Sequence, residues 1–298
     1  MGGKCIREGH QRTMLEEDVR GALLSMSIHD KILELASSAG GVFGIAAKEL
    51  STGREILMNA DQQFVAASII KIPIMVEGFR QAEEGLIRLQ TKMKLADTDK
   101  VGGAGILKVM SQGIKIPVID LIRLMIVISD NTASNILVDL LGMDHVNRTM
   151  QKLGFTGIIL RRKFMTLPQT VQAANAVTPQ DITDLLEKIA KGQVVSRRAC
   201  EEMVRIMKEQ QYNDLIPALI PVSDGKEESL VGQVKNMEIA HKTGSVSGVR
   251  HDAAIVYAGS VNYVVTILAS DLPDTRHGED AIRRISLEIY RHFTGISG

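Results

Sequence analysis

Residues Glu238–Ser270 read EIAHKTGSVSGVRHDAAIVYAGSVNYVVTILAS, and this stretch sets the architecture of the chain. It holds three apolar-rich runs, Glu238–Thr243, Val249–Ala258 and Tyr263–Ser270, with glycine and serine between them. Such runs predict strands, and the short breaks predict tight reversals, the second of them at Asn262. The carboxyl-terminal third is therefore expected to form an antiparallel meander of three strands.

Two further strands are predicted near the amino terminus. Val42–Leu50 and Glu55–Asn59 flank Ser51–Gly53, a pattern typical of a β-hairpin. Helical periodicity predicts one helix before these strands, Leu15–Ala39, and one at the end of the chain, Glu279–Phe293. Because strands occur at both ends, we expect an α+β fold (an α/β sandwich) with one five-stranded antiparallel sheet built from both termini.

The chain between these strands is predicted to be helical. We therefore expect a tail at residues 1–13, an α/β lobe formed by residues 14–61 with residues 215–298, and an inserted all-helical lobe at residues 62–214, all within one domain. The cleft between two such lobes is the expected place for an active site.

Composition limits the classes of partner. The chain has 298 residues, enough to bury a substantial core. Lys plus Arg and Asp plus Glu both number 35, so the net charge is zero. That balance argues against general binding of nucleic acid or of an anionic membrane, both of which need a basic surface. Since Trp is absent and Tyr and Phe are few, platforms that stack bases are not expected either.

The sequence predicts no targeting or membrane segment. Charged residues interrupt the first twenty positions, so no secretory signal is visible. We expect a cytoplasmic protein, or a periplasmic or secreted one if a leader has been removed. The most apolar stretch, Leu121–Ile128, contains Arg123 and is too short to span a membrane. The oligomeric state is left open.

The cysteines and histidines predict no disulfide scaffold and no metal centre. Cys5 and Cys200 are interpreted as free thiols, although two cysteines can pair. The seven histidines show no metal-ligand spacing. His251-Asp252 is interpreted as a pair at a strand end rather than as part of a catalytic triad.

Ser68-Ile69-Ile70-Lys71 is the first of three short clusters with chemical potential. An apolar helix follows, which places Ser68 at its N-terminus, where backbone amides are free and negative charge is favoured. Lys71 lies one turn further on, so its amine can reach the Ser68 oxygen. If burial or a nearby cation such as Lys242 lowers its pKa, it can accept the serine proton. The structural alternative is an N-cap serine beside a solvated lysine.

Ser129-Asp130-Asn131 is the second cluster, between helices predicted at Pro117–Ile128 and Asn131–Leu141. A loop pinned by a rigid apolar helix suits positioned polar groups. Ser129 can relay a proton to a leaving nitrogen, and Asn131 can form a hydrogen bond with a substrate amide or with the Lys71 amine. The same residue types also cap helices, which is the structural alternative.

Lys242-Thr243-Gly244-Ser245 is the third cluster and ends a predicted strand. Its lysine and threonine can bind a carboxylate, and its glycine lets the strand edge approach and pair with an amide substrate. The amides of Ser68 and Ser245 are candidates for an oxyanion hole, and Arg250 is a candidate for a bidentate carboxylate contact. An exposed strand end with a turn is the structural alternative.

Together and in this order, the clusters resemble the motifs of the class A β-lactamase and penicillin-binding protein superfamily of serine hydrolases. The resemblance extends over nearly the whole chain. It implies a serine hydrolase that forms an acyl-enzyme with a small-molecule substrate and needs no metal or organic cofactor. By this resemblance the catalytic residues are Ser68, Lys71 and Ser129, and the substrate contacts are Asn131, Lys242, Thr243 and Arg250.

One departure from that family concerns release of the acyl group. Class A β-lactamases carry a glutamate, followed by an asparagine, in a loop between the second and third motifs, and this glutamate positions the deacylating water. The corresponding residues here, 160–178, contain no Asp or Glu. Gln169, Gln172 or Asn175 can orient a water, but none is a base at neutral pH.

The resulting prediction is an enzyme that opens β-lactam amides or related carbonyl compounds, with a β-lactam, an ester or a D-alanyl peptide as substrate. One alternative is an esterase or a D-Ala-D-Ala peptidase-like hydrolase. Another is a penicillin-binding protein that is acylated but not turned over, as a sensor would be. The missing glutamate is the feature that keeps these alternatives open.

Overall fold

A computed structural model describes residues 26–165, 174–221 and 237–296. The helices of these residues are α1 (Ile28–Ala39), α2 (Lys71–Glu83), α3 (Val118–Val127), α4 (Asn131–Leu141), α5 (Met143–Lys152), α6 (Pro179–Ala190), α7 (Arg197–Lys208) and α8 (Thr275–Thr294). The strands are β1 (Val42–Glu49), β2 (Glu55–Met58), β3 (Phe64–Val65), β4 (Lys92–Lys94), β5 (Lys115–Pro117), β6 (Ala176–Val177), β7 (Met237–Val246), β8 (Val249–Ala258) and β9 (Val261–Ser270).

The five long strands form one antiparallel sheet in the order β2-β1-β9-β8-β7. The meander β7-β8-β9 and the hairpin β1-β2 meet between β1 and β9, so the prediction of one sheet built from both ends of the chain is confirmed. The predicted reversal at Asn262 is wrong, because Asn262 pairs with Tyr257 inside the ladder. The reversal lies three residues earlier, at Gly259, whose φ of 69° suits a tight hairpin.

Both faces of the sheet are buried. Along β8, Ala253 and Ile255 face the core of the helices α2–α7, whereas Ala254 and Val256 face the layer of α1 and α8. Each fully buried isoleucine contributes about 1.5–3 kcal/mol of hydrophobic free energy. The sheet is therefore a rigid partition between two apolar layers, and β7 forms its edge.

The segment between the sheet strands is mainly helical, and it also holds two short ladders that the sequence did not predict. Phe64–Val65 of β3 pair with Ala176–Val177 of β6, and β4 pairs with β5. Strands of two or three residues are too short to show the alternation by which strands are recognised. The β3-β6 ladder has a functional consequence, because it ties the chain just before Ser68 to the end of the acid-free region at residues 160–178.

Some predictions lie outside the described residues, among them the tail at residues 1–13 and the first part of the helix predicted at Leu15–Ala39. The described part of that helix begins at Ile28, where Ser27 caps it by accepting a hydrogen bond from the Asp30 amide at 3.2 Å. Among the helices that the structure describes, none is long and apolar enough to cross a membrane.

Candidate active site

Ser68 lies in a 3₁₀ turn, Ala67–Ile70, immediately before α2, and lines a cavity of about 720 Å³. Its neighbours Ala66, Ile69 and Ile70 are fully buried and anchor the turn. Ala67 has a φ of 44°, a left-handed conformation that costs a non-glycine residue roughly 1–3 kcal/mol. Packing thus holds Ser68 in place against local backbone strain.

Lys71 is fully buried behind Ser68, in the first turn of α2. Its Nζ lies 2.7 Å from the Ser129 carbonyl oxygen, 2.9 Å from Asn131 Oδ1 and 3.0 Å from Ser129 Oγ. Burial, and then the charge of Lys242, lower the pKa of Lys71 well below its ordinary range, although Asp130 opposes them. A neutral amine has two donors and one lone pair, which suits two acceptor oxygens and one hydroxyl. No hydrogen bond among the described residues joins Lys71 Nζ to Ser68.

Ser129 lies between two lysine amines. Its Oγ is 3.0 Å from Lys71 Nζ and 3.1 Å from Lys242 Nζ. Lys242 is also fully buried, and burial lowers its pKa to about 7, with Asp252 as a weaker opposing influence. Ser129 itself has a φ of 56°, so its backbone is held in the left-handed region. A hydroxyl between two amines that lose protons easily is suited to pass a proton between them.

Asp130 acts as a structural clamp between Ser129 and Asn131. Its side chain caps α4 by accepting from the Ala133 amide at 2.9 Å. The same carboxylate accepts from the amides of Ile106 at 2.6 Å and Leu107 at 2.9 Å. The capping alternative is therefore correct for Asp130, while its two neighbours point to Lys71.

The end of β7 passes close to Ser68. A methyl group added to Gly244 would lie 3.1 Å from the Ser68 amide nitrogen and 3.3 Å from Ala67 Cβ, so only glycine allows this approach without displacement. Thr243, Gly244 and Ser245 all line the cavity. Because β7 is the edge strand, its outer backbone groups are available to pair with an extended ligand.

Arg250 lines the same cavity, but its guanidinium group is already engaged. Nε donates to Glu279 Oε1 at 2.6 Å, and Nη1 donates to the carbonyl oxygens of Val249 at 2.8 Å and Val246 at 3.1 Å. A contact of Arg250 with a substrate carboxylate therefore stays a prediction, and in the structure an internal carboxylate from α8, Glu279, occupies the Nε side of the guanidinium group. The contact between Arg250 and Glu279 could not be predicted from the sequence pattern, since the two residues lie on separate elements, β8 and α8.

Phe164 occupies the side of Lys71 that faces the acid-free region. Its ring centroid is 4.5 Å from Lys71 Nζ. The Phe164 amide donates to Asn135 Oδ1 at 2.8 Å, and Asn135 Nδ2 donates to the Phe164 carbonyl at 3.0 Å, which fixes the loop from both sides. Phe164 is the one aromatic residue among residues 160–178, and this is the feature of the sequence that distinguishes it.

Of the three amides proposed as alternatives for orienting a water, the structure describes only Asn175. Asn175 shapes the loop, because its Oδ1 accepts from the amides of Arg161 at 2.7 Å and Arg162 at 3.0 Å, and its Nδ2 donates to the Arg162 carbonyl at 3.1 Å. Gln169 and Gln172 lie outside the described residues.

His241 on β7 and Asp252 on β8 form a buried histidine–aspartate pair that the sequence did not predict. His251-Asp252 is not a pair at a strand end, because both residues are fully buried and make separate contacts. His251 lies 2.8 Å from the Val65 carbonyl oxygen, and burial lowers its pKa to about 4. Asp252 contacts His241 Nδ1 at 3.0 Å and accepts from the Ile216 amide at 3.0 Å. It therefore connects β7 to the segment that borders the cavity at Asp214 and Leu215.

Thiols and metal ligands add nothing to the site in the part of the chain that the structure describes. Cys200 is a buried free cysteine, and Cys5 lies outside the described residues. Within the described ranges, no group of three or more His, Cys, Asp or Glu side chains is arranged to hold a metal ion. That the reaction needs no cofactor stays a prediction.

The antiparallel sheet, the inserted helices and the order of the three clusters together define the serine hydrolase superfamily of class A β-lactamases and penicillin-binding proteins. The model of the Beta-lactamase enzyme family matches residues 27–293. The chain belongs to that family, and the resemblance stated from the motifs is confirmed.

Curated relatives and solved structures agree with this assignment. Beta-lactamase L2 of Stenotrophomonas maltophilia is 26% identical over 236 residues, which are 78% of this chain and 74% of that protein. The crystal structure of a beta-lactamase from Sphaerobacter thermophilus is 29% identical with a TM-score of 0.83, covering 91% of this chain and 98% of that one. The structure of PBP-A is 28% identical with a TM-score of 0.78, covering 90% and 96%. A mutant of PBP-A, equally similar, is an acyl-enzyme complex with penicillin G.

Proposed function

We propose that the protein is a serine acyl-transfer enzyme that opens β-lactam amides, or related activated carbonyl compounds, through an acyl-enzyme on Ser68, and that it releases the acyl group slowly. The observation that carries this proposal is the placement of Ser129 Oγ 3.0 Å from Lys71 Nζ and 3.1 Å from Lys242 Nζ, beside the cavity that Ser68 lines. The similarity to beta-lactamases and to PBP-A supports it.

The proposed acylation uses these residues, with Lys71 one helical turn from Ser68 and bonded to Ser129. Ser68 Oγ attacks the carbonyl carbon while its proton passes to the neutral amine of Lys71, whose pKa is lowered by burial. The carbon–nitrogen bond then breaks, and the departing nitrogen receives a proton through the Ser129 hydroxyl. An ester on Ser68 and a free amine are formed, and Lys71 returns the proton it took from Ser68 to Ser129, so that the net transfer is one proton from Ser68 to the departing nitrogen. The amides of Ser68 and Ser245 hold the developing oxyanion.

Release of the acyl group requires a water molecule and a base to activate it. Residues 160–178 contain no Asp or Glu, and the Phe164 ring lies against Lys71 Nζ. An aromatic ring accepts no proton, so hydrolysis of the ester is expected to be slow compared with its formation.

The same observation favours a second function, a penicillin-binding protein that is acylated and turns over little. The ester and D-alanyl peptide alternatives use the same acylating residues and differ in the bond that is attacked. All of these functions use Ser68 as the nucleophile. They differ in which carbonyl compound reacts and in how long the acyl group stays on Ser68.

The test follows intact mass over time after addition of a chromogenic cephalosporin or a p-nitrophenyl ester. We expect rapid formation of a covalent adduct that Ser68→Ala abolishes, while Ser38→Ala, which removes an exposed serine on α1, leaves it unchanged. Steady release of product with little adduct would support an efficient hydrolase, and a lasting adduct would support the binder. No adduct and no product with either compound, or labelling that persists in Ser68→Ala, would contradict the proposal.

A further inference from the structure

We infer that Glu279 sets the charge preference of the cavity, so that the protein favours acyl substrates that are uncharged beside the end of β7 over substrates that carry a carboxylate there. The inference rests on the proposed function and names the substrate class of the same site. Penicillins carry a carboxylate next to the reactive amide, whereas simple esters and esterified β-lactams do not.

Glu279 already neutralises the cation that would attract such a carboxylate. Arg250 Nε donates to Glu279 Oε1 at 2.6 Å, and the two side chains are only 23% and 21% exposed. Solvent and salt therefore screen the pair only in part. A substrate carboxylate that takes over the Nε contact of Arg250 displaces Glu279 and leaves that acid without this partner, and one bound elsewhere on the guanidinium meets a cation whose charge Glu279 already offsets.

More acidic charge lies at this end of the cavity. Asp214 lines the cavity together with Glu279. Arg283 contacts both residues. Its Nε donates to the backbone carbonyl of Asp214 at 2.6 Å, and its Nη2 lies 3.6 Å from Glu279 Oε2. Two guanidinium groups and two carboxylates thus balance one another here, and no excess of positive charge remains from these four residues.

Lys242 does not restore a strong positive charge. Burial lowers its pKa to about 7, so near neutral pH its amine carries a proton in about half of the molecules. The amine also donates to the Thr243 carbonyl at 2.7 Å. Its contribution to binding an anion is therefore partial.

A neutral substrate meets none of these penalties. Thr243 and Ser245 line the cavity, and a hydroxyl group can donate to the carbonyl oxygen of an ester as well as to a carboxylate. A carboxylate placed beside these four residues meets no net positive charge that would offset its loss of hydration, and a difference of this kind discriminates between ligands. Although Arg162 and Lys163 also line the cavity, the charges beside the end of β7 favour substrates without a carboxylate at that place.

The test uses benzylpenicillin and its methyl ester, which share one acyl group and differ in one negative charge. Rate constants for acylation of Ser68 are measured by intact mass for the wild type, Glu279→Gln and Asp280→Asn. We expect Glu279→Gln to raise the acid-to-ester ratio of these rate constants about 10-fold, because it releases the Arg250 charge and keeps the side-chain shape. Asp280, which pairs with Arg284 at 2.9 Å on the same helix, is the matched control, and its variant should change the ratio less than about twofold.

The outcomes separate the inference from the proposed function. If Glu279→Gln leaves the ratio unchanged or lowers it while both compounds still acylate Ser68, the inference is overturned and the proposed function stands. Equal increases in both variants would trace the effect to the overall charge of α8 and would also overturn it. If neither compound acylates the wild type, the proposed function fails and the inference fails with it. The two rate constants of each ratio are measured on the same variant, so a smaller fraction of folded protein lowers both equally and leaves the ratio unchanged.

Discussion

The ring centroid of Phe164 lies 4.5 Å from Lys71 Nζ. A carboxylate at this position would be close enough to Lys71 to interact with its amine, and it could accept a proton from a water molecule. We expect Phe164→Glu to shorten the lifetime of the Ser68 adduct about 100-fold, which is the lower range of general-base catalysis. The loop backbone is held by Asn135 on both sides of Phe164, so the new side chain should keep the same direction. Adduct lifetime is measured by intact mass after removal of excess penicillin.

Phe164→Gln is the control for this change, since it is polar and similar in length but not a base. Equal adduct lifetimes in the Glu and Gln variants would show that opening the space beside Lys71, rather than adding a base, controls release. An unchanged lifetime in both would show that the slow step lies elsewhere.

Residues within a local pattern could be predicted from the sequence, and contacts between distant segments could not. Lys71 follows Ser68 by one helical turn, and Ser129 follows an apolar helix, so their chemistry is visible in local spacing. The contacts of Phe164 with Lys71 and of Glu279 with Arg250 join separate elements. Such contacts depend on how the elements pack, which a single sequence does not encode as a pattern.

The close approach of β7 to the turn that carries Ser68 is a property of two elements rather than of one residue. Gly244→Ala would place a methyl group 3.1 Å from the Ser68 nitrogen and 3.3 Å from Ile69 Cγ1, closer than ordinary contact. We expect the strand to move away by a few tenths of an ångström and the acylation rate constant to fall about 10- to 100-fold, because the reacting groups lose alignment. The loss of stability should be modest, about 1 kcal/mol.

Acylation rates and urea unfolding curves measure these two effects separately. Gly102→Ala is the matched substitution, since the nearest atom to its added methyl group, Met165 Cε, is 3.9 Å away. A similar fall in rate for both variants, or a fall explained by unfolding alone, would contradict the role assigned to the contact between β7 and the turn.

Long elements with clear end signals were predicted well. The helix predicted at Asn131–Leu141 has the same bounds in the structure, because Asp130 caps its start and Gly142, with a φ of 82°, ends it. The strand predicted at Glu238–Thr243 is longer, Met237–Val246, since its pairing with β8 continues through the cluster that ends in Ser245. Side-chain pattern identifies a strand, but its partner determines its length.

For the whole molecule, the sheet could be predicted from the strands at both ends, whereas the attachment of the helices to it could not. Thr183 on α6 donates to the Ala46 carbonyl at 3.1 Å and lies 2.8 Å from Thr266 Oγ1, both in the buried sheet. A threonine inside an amphipathic helix gives no sign of such a partner. The position of the helices against β1 and β9 therefore emerges only from packing.

The site also lowers the stability of the molecule. Lys71 and Lys242 are fully buried, and both amines lie within 3.1 Å of Ser129 Oγ. Burial lowers the pKa of both groups, so the folded chain disfavours protons that the unfolded chain keeps. Active sites are commonly less stable than other parts of a protein, because the arrangement of groups that catalysis needs is not the most stable one.

This loss predicts how stability depends on pH. The pKa of Lys242 is about 7 in the folded chain and about 10.4 in the unfolded chain, so the unfolded state binds more protons between these values and the free energy of unfolding must rise with pH. Relative to Lys242→Met, the wild type should gain a few kcal/mol between about pH 7 and about pH 10, at most about 1.4 kcal/mol per pH unit. Urea unfolding at the two pH values gives this difference. Titrating groups that do not interact with Lys242 cancel in it, whereas Lys71, whose pKa responds to the charge of Lys242, contributes as well. Lys152→Met, at an exposed position of α5, should show no such trend. If the free energy of unfolding of the wild type, taken relative to that of Lys242→Met, stays constant or falls as pH rises, Lys242 keeps its proton in the folded protein.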